Sequence, residues 1–265
     1  MRSLVGCLDE THAAIIYSVV SHFIRATIRS FVLFLIPAVT YAGSARPVST
    51  IETSTSSPVI VIGFVGGFVR HDAVAHSAVR LAAHLRHDYP SGVYVEVVEN
   101  HYRAKAYAQI IHFLGGDRHG TLSAEEKSNA RVILYGHSWG ASEAITLSRQ
   151  LEREGIPVLL TVQVDSIAKP GENDRVIPAN VAEAANFYQL NGFLHGQSQI
   201  RAADPTRTHI FGNFRFDYKA NPIFCRDYPW YDRVFMKAHI QIECDPNVWA
   251  QVEALIRSKL PLRQQ

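Results

Sequence analysis

From residue 58 onward the sequence alternates between short apolar runs and longer stretches of mixed polarity, and that rhythm limits what the chain can fold into more than any other feature. Val59-Ile60-Val61-Ile62 is apolar without a break, as a strand buried on both faces requires. Gly63-Phe64-Val65-Gly66-Gly67 reads as the loop after it, and residues 72–87 set Val74, Ala78, Leu81, Ala82 and Leu85 on one helical stripe. The pattern repeats with strands over 93–98, 132–135 and 157–164 and helices over 101–114 and 141–151. Successive strand–helix units need crossover connections, and those join parallel strands. The expected fold class is therefore α/β: a single doubly wound, mostly parallel sheet with helices on both faces. After Asp165 the rhythm breaks. Residues 166–184, with Pro170, Gly171 and Pro178, read as a loop. Strands are expected at 185–190, 209–216 and 235–242, and a closing helix at 246–260 with Val248, Trp249, Val252, Leu255 and Ile256 apolar.

Composition removes several classes of partner. Hydrophobic residues make up 47% and charged residues 19%, which excludes a disordered chain. Lys plus Arg (26) nearly balances Asp plus Glu (24), so no basic excess calls for nucleic acid. Three cysteines are too few for a disulfide scaffold or a four-cysteine zinc site.

Residues 1–42 differ from the rest. Arg25 and Arg29 precede an apolar run from Phe31 to Val39, and Thr40-Tyr41-Ala42-Gly43-Ser44-Ala45 supplies small residues at its exit. A basic flank, an apolar stretch of about ten and a small-residue exit compose a secretory signal, with a cut expected after Ala42. Its lead of residues 1–24 is long, and a start at Val19 or Val20 would shorten it. The alternative is an uncleaved N-terminal membrane anchor. Residues 43–57, rich in Ser and Thr, read as a linker, and 58–265 as the folded domain. The expected location is thus periplasmic or extracellular, or anchored through this segment. Export would leave Cys225 and Cys244, which pair as a disulfide in an oxidising compartment and stay free thiols in the cytosol.

The strongest local signal is Gly136-His137-Ser138-Trp139-Gly140, a G-x-S-x-G directly after an expected strand and directly before an expected helix. A serine on so tight a turn stands clear of the sheet. Its neighbours two positions away must be small, because strand and helix pass close together there. The helix N-terminus favours developing negative charge at the same point. A serine hydroxyl needs a base to act as a nucleophile. His239, the last histidine in the chain, lies just before Cys244-Asp245-Pro246 and the closing helix, and is placed ahead of His195 and His209. His137 is too close to Ser138 on the same turn. The orienting acid is Asp165, at the carboxyl end of the strand after the nucleophile helix, with Asp217 as runner-up and Asp174 and Asp204 behind. The oxyanion is expected on the backbone amide of Trp139 and on Phe64 or Val65 in the first glycine-rich loop. That loop lacks the Lys-Ser/Thr ending of a nucleotide cradle.

With these residues in place, 58–260 resembles the α/β-hydrolase superfamily of esterases, lipases and thioesterases. An acid directly after this strand resembles its thioesterase-like and some of its lipase-like branches. The first loop departs from the family, having Ile62-Gly63 where a His-Gly opening is common. The resemblance implies acyl transfer on a small-molecule ester or thioester through Ser138, His239 and Asp165, with no metal or organic cofactor needed. It also implies a modest lid within 166–207. Phe64, Phe68, Trp139, Phe214, Tyr218 and Trp230 are candidates for an apolar acyl pocket or for ordinary core. A non-catalytic binding protein, and a peptidase or acyltransferase on the same scaffold, are the other classes the sequence allows.

Overall fold

The computed structural model describes residues 57–115 and 121–262. The leader and almost all of the linker read from the sequence lie outside them. The strands are β1 (Val59–Val65), β2 (Val93–Glu99), β3 (Arg131–His137), β4 (Val158–Val164), β5 (Val176–Ile177), β6 (Val181–Gln189), β7 (Arg201–Ala202) and β8 (His209–Phe216). The helices are α1 (Ser77–Asp88), α2 (Arg103–Gly115), α3 (Ala124–Ser128), α4 (Trp139–Arg153), α5 (Trp230–Phe235), α6 (Lys237–Cys244) and α7 (Pro246–Arg257).

Six strands form one sheet in the order β2-β1-β3-β4-β6-β8, and every pairing is parallel. The short β5 and β7 pair separately. Period-two alternation in β1 explains why both faces of the sheet are apolar. Val59, Val61 and Val65 enter the core beneath α1 and α7, while Ile60, Ile62 and Phe64 enter the core beneath α2 and α4. Helices therefore cover both faces, as the doubly wound reading requires.

The chain leaves β1 toward β2 on one side and returns across β1 to β3 on the other. The carboxyl ends of β1 and β3 therefore flank a switch point of the winding, where open α/β sheets have their ligand crevice. Gly66 and Ser138 sit at these two ends.

Several boundaries differ from expectation. β1 runs through Gly63 to Val65 because the glycine admits the ring of Tyr135, where a Cβ would stand 2.4 Å from the ring. The apolar stripe expected from residue 72 starts only at Ser77, and Val74 is exposed. Residues 166–184 contain β5 and the start of β6. The strand expected over 235–242 is instead α6. Its residues Ala238, His239, Ile240, Gln241, Ile242 and Glu243 are all buried, so polarity along it tracks neither face. Cys225 and Cys244 are joined by a disulfide that closes a strap around α5 and α6.

Candidate active site

The turn from β3 into α4 holds Ser138 at φ 58° and ψ −128°. Among the described residues only Ser138 and Asp165 (φ 44°) are non-glycines at positive φ. Such strain persists where the surroundings over-determine it, and here both strained residues belong to one site. The glycines of the elbow have the steric cause that the sequence suggested. A Cβ on Gly136 would lie 2.5 Å from the Gly140 carbonyl carbon, and one on Gly140 would lie 2.3 Å from the Phe64 carbonyl oxygen. The Ser138 amide donates to the Val164 carbonyl (3.0 Å), tying the elbow to the end of β4.

Asp165 is fully buried at that end. Oδ1 accepts from the amides of Gly196 (2.7 Å) and Gln189 (3.3 Å); Oδ2 accepts from Gln189 Nε2 (2.9 Å) and faces Nδ1 of His239 at 2.7 Å. A carboxylate only accepts, so Nδ1 carries the imidazole proton and Nε2 keeps a free lone pair. Gly196 must be glycine for this approach, because a Cβ there would lie 2.4 Å from the Asp165 carbonyl carbon. His239 is buried on α6, within a helix rather than in a loop before the last one.

Ser138 and His239 line one cavity of about 580 Å³. Its polar side carries His76, His137 and Glu243; its apolar side carries Phe68, Trp139, Ile167, Tyr231 and Met236. Phe68 meets Trp139 edge-on at 5.9 Å. Of the six aromatics considered for this pocket, only Phe68 and Trp139 line it. Phe64 is in the core, Phe214 packs on Phe187 along the far strands, Tyr218 bonds to Asp245, and Trp230 is exposed on α5.

The first loop also differs from expectation. Phe64 and Val65 belong to β1, and their carbonyls lie against Gly140. The turn residues at the cavity are Gly66, Gly67 and Phe68. A Cβ on Gly66 would lie 2.8 Å from Cβ of Ser138, so Gly66 brings bare backbone against the serine. Asn100 Nδ2 holds the turn by donating to the carbonyls of Val65 (3.2 Å) and Gly67 (2.5 Å).

The other candidates have other partners. Asp217 is an exposed turn residue accepting from Asn191 Nδ2 (3.0 Å) and the Lys219 amide (3.0 Å). Asp204 accepts from Thr206, and Asp174 from the Ser166 hydroxyl. His195 and His209 are exposed, and His209 sits edge-on to Phe211.

His76 and Glu243 escaped the sequence reading. Glu243 Oε1 is 2.5 Å from Nδ1 of His76, and Oε2 is 3.5 Å from Nδ1 of His137. Burial pushes His137 down to about 4, so its ring is neutral at pH 7. Burial works against the Glu243 charge, but the His137 and His76 imidazoles beside it hold the group below the ordinary carboxylate range. The clue was the four-residue spacing of His239 and Glu243, which puts both on one face of a helix.

No family model and no curated protein matches the chain. Among solved structures it is similar to the thioesterase RedJ of the prodiginine biosynthetic pathway in Streptomyces coelicolor. That match has 12% identity and a TM-score of 0.40, covering 83% of this chain and 98% of that one. It is also similar to a YdeN-like hydrolase from Pectobacterium atrosepticum (15%, TM-score 0.39, 79% and 96%) and to an acetyl xylan esterase (10%, TM-score 0.36, 77% and 99%). The likeness lies in the course of the chain alone.

Proposed function

We propose that the protein is a serine hydrolase of the α/β-hydrolase type, cleaving a carboxylic ester or thioester through an acyl-enzyme on Ser138. One observation carries this reading. A serine strained onto a strand–helix elbow shares a cavity with an imidazole whose Nδ1 lies 2.7 Å from a buried aspartate.

In the proposed reaction Nε2 of His239 takes the Ser138 hydroxyl proton as Oγ bonds to the carbonyl carbon. The carbonyl π pair moves to oxygen. Asp165 keeps the imidazole in the Nδ1–H form and balances the imidazolium. The Trp139 amide, first of α4, and the backbone of the Gly66–Gly67 turn are the proposed oxyanion donors, in place of Phe64 and Val65. The oxyanion collapses, the bond to the alcohol or thiol breaks, and the leaving group takes the proton from His239. Water then attacks the acyl-enzyme with His239 again as base, releasing the acid and restoring Ser138. The apolar wall of Phe68, Trp139, Ile167, Tyr231 and Met236 suits an acyl chain. The disulfide supports a further proposal, that the protein works in an oxidising compartment outside the cytoplasm.

A fluorophosphonate probe tests the reading. Wild-type protein should be labelled at Ser138, and Ser138→Ala should not. Labelling that persists in Ser138→Ala, or wild type that resists the probe while folded, would reject it. Ester and thioester series of graded chain length then fix the acyl specificity.

A further inference from the structure

The cavity holds a second carboxylate for which the proposed triad has no use. Glu243 is one helical turn beyond His239 on α6, and its side chain is buried. It lies 2.5 Å from His76 and 3.5 Å from His137. The His137 ring packs against the His239 ring, with centroids 4.5 Å apart and planes tilted by 34°. On its other side His239 meets Asp165 at 2.7 Å. Two carboxylates thus bracket a pair of adjoining imidazoles, in the order Asp165, His239, His137, Glu243. His76 closes the series from the segment before α1.

Glu243 Oε2 faces Nδ1 of His137 at 3.5 Å, a charge contact longer than a hydrogen bond. His137 Nε2 has no hydrogen-bond partner among the described residues. The ring is held between the His239 ring on one side and the Glu243 carboxylate on the other. A buried negative charge across the ring matters to His239 because charges in such a site are weakly screened.

We propose that Glu243 is a positioning residue for acyl transfer: through His137 it sets the face against which His239 packs, and its charge joins that of Asp165 in stabilising the imidazolium His239 becomes on accepting the Ser138 proton. The inference rests on the serine-hydrolase reading above. The charged and titratable groups around the pair are known. His239 faces Asp165 from the end of β4, His137 from β3 and Glu243 from its own helix. Glu243 faces His76, His137, Tyr228 and, from α5, Asp232; Arg80 of α1 acts on Tyr228. Tyr218, which donates to Asp245, interacts with Asp165 as well. Removing the Glu243 charge takes away one of two anions favouring protonated His239, so the sign is fixed: His239 loses its proton at lower pH.

The test is an NMR titration of the His239 ring in wild type and Glu243→Gln, beside pH profiles of kcat and KM on an activated ester. The expected result is a midpoint lowered by about one pH unit, with the acidic limb of kcat/KM moving equally. We also expect kcat to fall about tenfold with KM within about twofold. Glu243→Asp retracts the charge by one methylene and should move the midpoint less, in the same direction; it decides the matter if Glu243→Gln does not fold. An unmoved His239 midpoint overturns the inference. So does a defect confined to KM, which would make Glu243 a substrate contact. The titration needs no turnover, so it speaks on Glu243 even where Ser138 resists the fluorophosphonate, the result that would reject the underlying reading.

Discussion

Replacing Asp165 by Asn perturbs one atom and separates the proposed site from its rival most sharply. The carboxylate faces four donors: two backbone amides on Oδ1, and Gln189 Nε2 and His239 Nδ1 on Oδ2. An asparagine that keeps its carbonyl toward the Gly196 and Gln189 amides turns its NH2 toward the other two. His239 then has to accept at Nδ1, so the proton moves to Nε2, the atom that must take the Ser138 proton. In the serine-protease triad this tautomer error costs about 10⁴ in kcat, or about 5 kcal/mol at 1.36 kcal/mol per decade. The opposed donors also cost stability, about 1–3 kcal/mol. The assay is hydrolysis of an activated ester by Asp165→Asn and Asp217→Asn, each with a thermal melt. Asp165→Asn should lose about three to four decades of kcat while remaining folded. Asp217→Asn should stay within about twofold of wild type, since Asp217 caps an exposed turn. An Asp165→Asn enzyme keeping a tenth of its activity, or Asp217→Asn being the inactive one, would refute the assignment.

Three further predictions follow from packing, charge and the disulfide. Gly140→Ala places a Cβ 2.3 Å from the Phe64 carbonyl and must push α4 off β1, so urea unfolding should show a loss of about 1–3 kcal/mol and activity should fall with it. Burial keeps His137 neutral in the fold, with its pKa brought down from 6.5 to about 4. The resulting stability is complete above about pH 6.5 and is lost as pH falls toward 4, a loss of order 3 kcal/mol that His137→Gln should remove from the pH dependence of urea unfolding. The paired change Cys225→Ser and Cys244→Ser should cost about 3 kcal/mol in unfolding and lower activity as well, because the strap it opens carries His239.

How legible the molecule was depends on where the physics is local. β1 and β3 are buried on both faces, so the apolar runs 59–62 and 132–135 announce them, and β4 is apolar apart from Thr161 and Gln163. The elbow is legible because backbone contact at Gly136 and Gly140 forbids any larger residue at that spacing. The sequence left Cys225 and Cys244 open between a bridge and two free thiols, and the fold joins them. The illegible parts depend on contacts distant in sequence. Gly63 looked like the end of a strand, yet it stays within β1 to admit Tyr135. Residues 235–242 read as a strand, because α6 is buried on nearly every side and leaves no polar face to give its period away. Asp165 and Asp217 both follow strands; only the fold reveals that β8 ends at an exposed edge of the sheet while β4 ends beside the elbow. His76 is separated from Glu243 by most of the domain, and nothing local links them.

The most direct test of the account is intact-mass and peptide analysis of the protein quenched during turnover of an activated ester. A mass increase equal to the acyl group, carried by the peptide containing Ser138 and absent from Ser138→Ala, is the predicted result. Turnover with no acyl adduct at any time point, or an adduct on a different residue, would contradict it.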